Sequence, residues 1–233
     1  MRSGRWLALL GVSLLPRASR AQTEPGRVEL VVTTEVPQYL GGGASVGLGR
    51  GLRLQSTAGA SVSPYVDAVT GLVSAVSSVD PAYRDALRDA VDDFVVWRTH
   101  LLWRPWRRHG FELGGGYGLV VLRGEVTEAV TLALANEPPN ATSVPPPSTL
   151  RAYLHQVDVE AAWRFTLASS LSLRVALGVD VTAYAHASIS PRYAIGDDPA
   201  ARDVQARSEA NLTDWVTRWR ALPSASVALH LTL

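Results

Sequence analysis

Residues 224–233 read Ser-Ala-Ser-Val-Ala-Leu-His-Leu-Thr-Leu. Ala225, Val227, Leu229, Leu231 and Leu233 take every second position, with Ser224, Ser226, Ala228, His230 and Thr232 between them. Side chains alternate between faces along a strand, so this stretch has one apolar and one mostly polar face. The same spacing would scatter the apolar residues around a helix.

The period recurs upstream. Tyr153, Val157, Val159, Ala161, Trp163 and Phe165 share one face, opposite Gln156, Asp158, Glu160 and Arg164. After the turn at 167–170, Leu171, Leu173, Val175, Leu177, Val179 and Val181 oppose Ser172, Arg174, Asp180, Thr182 and Tyr184. Val95, Trp97, Leu101 and Trp103 oppose Arg98, His100 and Arg104, and a short basic turn at 106–109 leads to Phe111, Leu113, Tyr117, Leu119 and Val121. Eight strands are predicted, at 27–36, 43–49, 51–62, 93–105, 110–123, 150–166, 171–187 and 214–233. Several exceed the 5–6 residues usual in soluble sheets and match the 9–11 that a tilted strand needs to cross a bilayer.

The connections alternate in length. With both ends of the chain on one side, the far side carries 37–42, 63–92, 124–149 and 188–213, and the near side carries only 49–50, 106–109 and 167–170. Transmembrane barrels show this asymmetry, with short periplasmic turns and long extracellular loops. Proline cannot donate to a ladder, so 136–148, with Pro138-Pro139 and Pro145-Pro146-Pro147, adds no strand. The loop 63–92 differs from the others. Val66, Val69, Leu72, Val73 and Val76 have helical spacing, and Asp80-Pro81 reads as an N-cap followed by Pro at the first helical position. Tyr83, Leu87, Ala90, Val91 and Phe94 continue the helical repeat. A helical insertion is expected there.

Composition agrees with a membrane barrel. Apolar residues make up 47% of the 233 residues and charged residues 18%, below the roughly 25% of a soluble domain. All 22 basic residues are arginine and there is no cysteine, so disulfides and thiolate sites are excluded. Arg2 and Arg5, the apolar run 6–15 and Ser19-Arg20-Ala21 have the layout of an export signal. The expected division is a signal peptide at 1–21, cleaved near Ala21, and a barrel domain at 22–233. Cleavage removes Arg2, Arg5, Arg17 and Arg20 and no acid, taking the formal charge from +1 to −3. A mildly acidic mature chain is not expected to bind nucleic acid.

Periodicity alone does not say which face is inside. An aromatic girdle is predicted from Trp97, Trp103, Phe111, Tyr153, Trp163, Phe165, Trp215 and Trp219, on the apolar face near strand ends. The opposite face carries Arg53, Arg98, Arg104, Arg164, Arg174, Arg218 and Arg220 against Glu29, Glu35, Glu112, Asp158, Glu160 and Asp180. Seven positive and six negative groups nearly cancel, as an enclosed polar lumen requires. The predicted lumen network is Arg98, His100, Arg104, Glu112, Asp158, Glu160, Arg164, Arg174, Asp180, Arg218 and Arg220.

On the export signal, the Gly-aromatic strands and the terminal strand, the chain resembles the small outer-membrane β-barrel proteins of Gram-negative bacteria. Among these it is most similar to the arginine-rich, lysine-poor barrels of myxobacteria-like genomes. Such barrels commonly end on an apolar, often aromatic, residue read by the insertion machinery, and Leu233 stands where Phe is usual. The resemblance spans most of 27–233. It implies an all-β, eight-stranded antiparallel transmembrane barrel, monomeric, with both termini periplasmic, and with outer-membrane lipid and the barrel insertion machinery as partners. It implies no catalytic residue, cofactor or metal, and the extracellular partner is unknown.

A structural or surface-interaction role with a filled lumen is therefore expected, since side chains fill an eight-stranded barrel. Two alternatives stand beside it. One is an outer-membrane lipid-modifying enzyme of the lipid A deacylase or acyltransferase type, for which His155, near the outer end of its strand on the lipid face, is the candidate. The other is a soluble, lipocalin-like periplasmic barrel. His186 with Asp197 and Asp198 matches no metal-ligand spacing, and Asp197-Asp198-Pro199 reads as a turn. Gly41-Gly42-Gly43 and Gly114-Gly115-Gly116 are not followed by a phosphate-loop helix and are expected to relieve crowding in the barrel.

Overall fold

The computed structural model describes residues 25–36, 38–61, 93–106, 109–138, 146–192, 198–218 and 221–233. Eight strands run β1 Val28–Val36, β2 Tyr39–Gly49, β3 Leu52–Ala60, β4 Asp93–Trp103, β5 Phe111–Val126, β6 Ser148–Thr166, β7 Leu171–Pro191 and β8 Ala221–Thr232. Each pairs antiparallel with its sequence neighbour, and β8 pairs with β1 from Thr232↔Glu29 to Ala225↔Val36. The barrel is closed, so no strand edge runs its full height. This is the eight-stranded antiparallel barrel expected from the alternation.

The faces sort cleanly. On β6, Gln156 and Asp158 are buried while Val157 and Val159 are exposed. On β1, Glu29, Val31, Thr33 and Glu35 point in, and Val28, Leu30, Val32 and Val36 point out. The β2–β3 turn uses backbone that favours glycine. It puts Gly49, Arg50 and Gly51 at φ of 86°, 52° and 83°, a conformation costly for residues with a Cβ.

The strands differ in height. β5, β6 and β7 rise well above their neighbours. β4 reaches only Asp93↔Arg123, so Gly124 to Val126 pair with β6 alone. β8 meets β7 only between Leu171 and Val181, leaving Thr182 to Pro191 without a strand partner on that side. Two helices cover this tall wall, α1 Glu128–Leu134 and α2 Pro199–Arg218.

Both helices lie in connections expected to be loops. α1 starts at Thr127, whose hydroxyl accepts from Val130 N at 3.4 Å, with Glu128 in the first turn. α2 starts at Asp198, whose carboxylate accepts from Ala200 N at 2.9 Å and Ala201 N at 3.2 Å. Pro199 then sits at the first helical position, so Asp198-Pro199 is a helix start rather than a simple turn. Ala201, Val204, Ser208 and Leu212 form its buried stripe.

Several expectations are corrected. The last strand, expected over 214–233, begins at Ala221, because α2 runs through Arg218. Trp215 and Arg218 are therefore helical, not a girdle residue and a lumen residue on β8. Trp219 and Arg220 lie outside the described residues. The first connection is Pro37-Gln38 rather than 37–42, since β2 begins at Tyr39. Phe94, read as the end of a helical repeat, is an inward residue of β4. An irregularity at His155/Gln156 inserts one extra residue in β7, with Gln156↔Thr182 followed by His155↔Tyr184. Tyr184 is thereby turned outward, where uninterrupted alternation puts it inside. The expected helical insertion at 63–92 and the signal at 1–21 lie outside the described residues.

Candidate functional site

The lower interior is a charged core built by two carboxylate hubs. Glu112 on β5 receives Arg53 Nη2 at 2.7 Å, Arg104 Nη2 at 2.5 Å and Arg174 Nε at 3.2 Å. Glu29 on β1 receives Arg164 Nη2 at 2.7 Å, Arg53 Nη1 at 3.3 Å and the Ser45 hydroxyl at 3.1 Å, and lies 3.1 Å from His230 Nδ1. Arg174 also reaches Glu160 at 2.5 Å. Arginine suits such hubs because its planar fork can serve two carboxylates at once.

A second knot lies above. Arg98 on β4 donates to both Asp180 oxygens at 2.8 and 3.0 Å and to Gln38 Oε1 at 2.6 Å, and lies 3.0 Å from Glu35 Oε1. Gln38 Nε2 in turn donates to Asp180 at 2.7 Å. His100 Nε2 stands 2.9 Å from Asp158. Arg98 is 2% exposed, so removing it would strand the Asp180 and Glu35 carboxylates away from water. Glycine makes room for the knot. A Cβ on Gly116 would sit 2.2 Å from the His100 ring, and one on Gly114 would sit 2.6 Å from Glu160.

Of the predicted network, the structure brings together Arg98, His100, Arg104, Glu112, Asp158, Glu160, Arg164, Arg174 and Asp180; Arg220 and the side chain of Arg218 lie outside what the structure describes. The described interior thus holds five arginines, at 53, 98, 104, 164 and 174. They face six carboxylates, at 29, 35, 112, 158, 160 and 180. His100 and His230 each stand beside a carboxylate. Gln38 was not legible, because it falls in a segment expected to be loop.

Between Glu35, Arg98, Asp158, Glu160, Asp180 and Ser226 lies a cavity of about 10 Å³, the room for about one water. Above it the interior becomes apolar. Tyr39, Phe94, Val96 and Val120 pack together with Leu122 and Leu154. Higher still, Val126, Leu150, Ala152, Ala185, Ala187 and Ile189 of the tall wall receive Val130 and Leu134 of α1 and Leu212 of α2. Helix α2 also serves the open edge of β7. Ile189 N donates to Glu209 at 2.7 Å, Gln205 Nε2 donates to Ile189 O at 2.6 Å, and Ala187 N donates to Thr213 Oγ1 at 3.4 Å. Asn211 donates to the Leu134 carbonyl at 2.8 Å, closing the end of α1.

The outer surface reverses the interior. Leu101, Leu113, Val157, Val159, Leu177 and Val179 are exposed and adjacent. Trp103, Trp106, Trp163 and Phe165 are exposed below them, with Phe111 half-buried between Trp106 and Trp163 at ring distances of 5.6 and 5.1 Å. Trp97, Tyr117, Tyr153 and Tyr184 are exposed above. From Tyr153 to Trp163 is about 33 Å along a strand, or about 25 Å along an axis tilted roughly 40° from it. Six of the eight predicted girdle aromatics lie in these two belts; Trp106, Tyr117 and Tyr184 join them.

His155 lies in the upper belt. Its Nδ1 is 2.5 Å from the Tyr117 hydroxyl, and its ring is 5.6 Å from that of Tyr184. The partners it meets are phenols rather than the serine or carboxylate of a hydrolytic site. His186 is exposed on the outer face of β7, and Asp197 is outside the described residues. Among the described residues no cluster of His, Asp and Glu could hold a metal ion.

The geometry defines a closed barrel with buried, paired charges inside and an apolar exterior. No protein-family model matches the sequence, and no curated protein is similar to it. Among solved structures, it is similar to CarO of Acinetobacter baumannii, at 12% identity and a TM-score of 0.40, over 91% of this chain and 99% of that one. It is similar to CarO2 of the same organism at 9% identity and a TM-score of 0.43, over 90% and 100%. It is also similar to a major outer membrane protein from Thermus thermophilus, at 12% identity and a TM-score of 0.40, over 88% and 99%.

Proposed function

We propose that this chain is an integral outer-membrane β-barrel with a side-chain-filled lumen, acting as an envelope or surface-interaction protein through its tall wall, whose inner face the two helices cover. The observation that carries the reading is the inversion of its faces. A band of exposed Leu and Val, about 25 Å from belt to belt at β6, lies between two aromatic belts, over an interior of paired charges. In water that band would be a large exposed apolar patch. A lipocalin-like carrier would need the reverse, an apolar cavity within a polar exterior. The same reading has the signal cleaved near Ala21, both termini in the periplasm, insertion by the barrel machinery and a monomer in lipid.

The test is refolding into phosphatidylcholine vesicles, followed by gel migration with and without boiling and by bilayer conductance. Heat-modifiable migration with no large stable channel is the expected result. A monomer that stays soluble without detergent would contradict the membrane reading, and a steady open pore would contradict the filled lumen.

A further inference from the structure

The outer face of the tall wall carries an arrangement that the barrel itself does not need. Along one ladder row, Asp93, Arg123, Arg151 and Ser188 stand side by side on β4, β5, β6 and β7. Arg123 and Arg151 are direct cross-strand partners, both exposed on the outward face. Like charges opposite one another destabilise a sheet. Neither guanidinium has a hydrogen bond or ion pair with another described residue. Asp93 is the one acid in the row, beside Arg123. Glu125, two residues beyond Arg123 on β5, is already taken by Arg192. Arg151 therefore stands between another arginine and a serine.

The next row down, Val121, Tyr153 and His186, is the start of the upper aromatic belt. Below that come His155 and Tyr184, then Val157. A molecule lying along this wall meets two guanidiniums first, then imidazole and phenol, then aliphatic side chains.

We propose that Arg123 and Arg151 bind the phosphate of a phosphorylated, acylated glycolipid of the outer leaflet, with Tyr153, Tyr184 and His186 at headgroup level and its acyl chains along Val121, Val157 and Val159. The proposal rests on the outer-membrane reading and adds a ligand class to it. A phosphate between the two forks would relieve their repulsion and accept charge-assisted hydrogen bonds from both. A soluble phosphate could satisfy the arginines but would leave the adjoining aromatic and aliphatic strip uncovered, which favours a lipid.

The full chain is refolded in detergent and in phosphatidylcholine vesicles, and lipid adducts are read by native mass spectrometry. The probes are bis-phosphorylated lipid A, the same lipid dephosphorylated, and inorganic phosphate. The expected result is one tightly retained phosphorylated lipid, held about tenfold or more weakly by Arg123→Gln/Arg151→Gln and by a smaller factor in Arg151→Gln alone. Arg207→Gln, on α2 and paired with Glu137 and Asp203, is expected to leave retention unchanged. Equal retention by wild type and the double variant, equal retention of the dephosphorylated lipid, or displacement by excess inorganic phosphate would each overturn the site. Heat-modifiable migration in neutral phosphatidylcholine separates the two levels. Wild type that inserts there but does not prefer the phosphorylated lipid loses only the site, whereas wild type that does not insert loses the membrane reading and the site with it.

Discussion

The lower and upper halves of this barrel solve the same packing problem with opposite chemistry. Below, between the short turns and Arg98, the interior is filled by arginines and carboxylates. Above, where β5, β6 and β7 stand free of the other strands, the inner wall is Leu150, Ala152, Ala187 and Ile189, and helices supply the cover. A closed barrel wall leaves the enclosed space to side chains, and paired charges can fill it if every partner is present. An open wall cannot be filled from within. It needs an element laid against it, and apolar packing is what holds one there. The lower half should therefore fail all at once, and the upper half locally.

The largest expected effect is in the lower half. Arg98→Met leaves Asp180 and Glu35 buried without their cation and should cost about 3–5 kcal/mol, read as a lower urea midpoint for unfolding from vesicles. A midpoint within error of wild type would mean that the knot contributes little. Next, Leu134→Ala empties a fully buried position between α1 and the wall and should cost about 2–3 kcal/mol locally. Hydrogen exchange should speed up in α1 and α2 while the amides of β1 to β4 stay protected; uniform acceleration would show that the halves are not separable. Glu209→Gln tests the cover over the β7 edge. It weakens the acceptor for Ile189 N and should cost about 1 kcal/mol, seen as faster exchange at Ile189. Smallest of all, Arg192→Gln removes an exposed pair with Glu125 and should change stability by less than about 1 kcal/mol.

The same division explains what could be read in advance. Strict alternation marks a strand with one face outside and one inside, so all eight strands and most of the charged core were legible, Arg98, Glu112, Asp158 and Arg174 among them. The upper half follows weaker signals. Helix α2 was missed because Trp215 and Trp219 are four apart, a spacing that serves either period, and because Asp198-Pro199 reads as a turn when no helix is suspected. The buried residues Ala201, Val204, Ser208 and Leu212 do carry helical spacing, but two of them are small or polar. Helix α1 is only seven residues long and shows mainly through its Thr127-Glu128 start. Tyr184 was misplaced by one inserted residue, which no pattern of polarity marks. Gln38 is invisible for another reason: its role comes from closure of the barrel, which brings β1, β4 and β7 to one point.

The most direct test of the inverted faces uses the absence of cysteine from the chain. Val157→Cys, Val159→Cys and Leu177→Cys can each carry a single nitroxide spin label on the exposed band of β6 and β7. Power-saturation spectroscopy of each labelled protein in vesicles compares relaxation by oxygen, which concentrates in the hydrocarbon, with relaxation by a water-soluble nickel chelate. The account predicts that oxygen dominates at all three positions. Dominance of the nickel chelate there would put these side chains in water and contradict it.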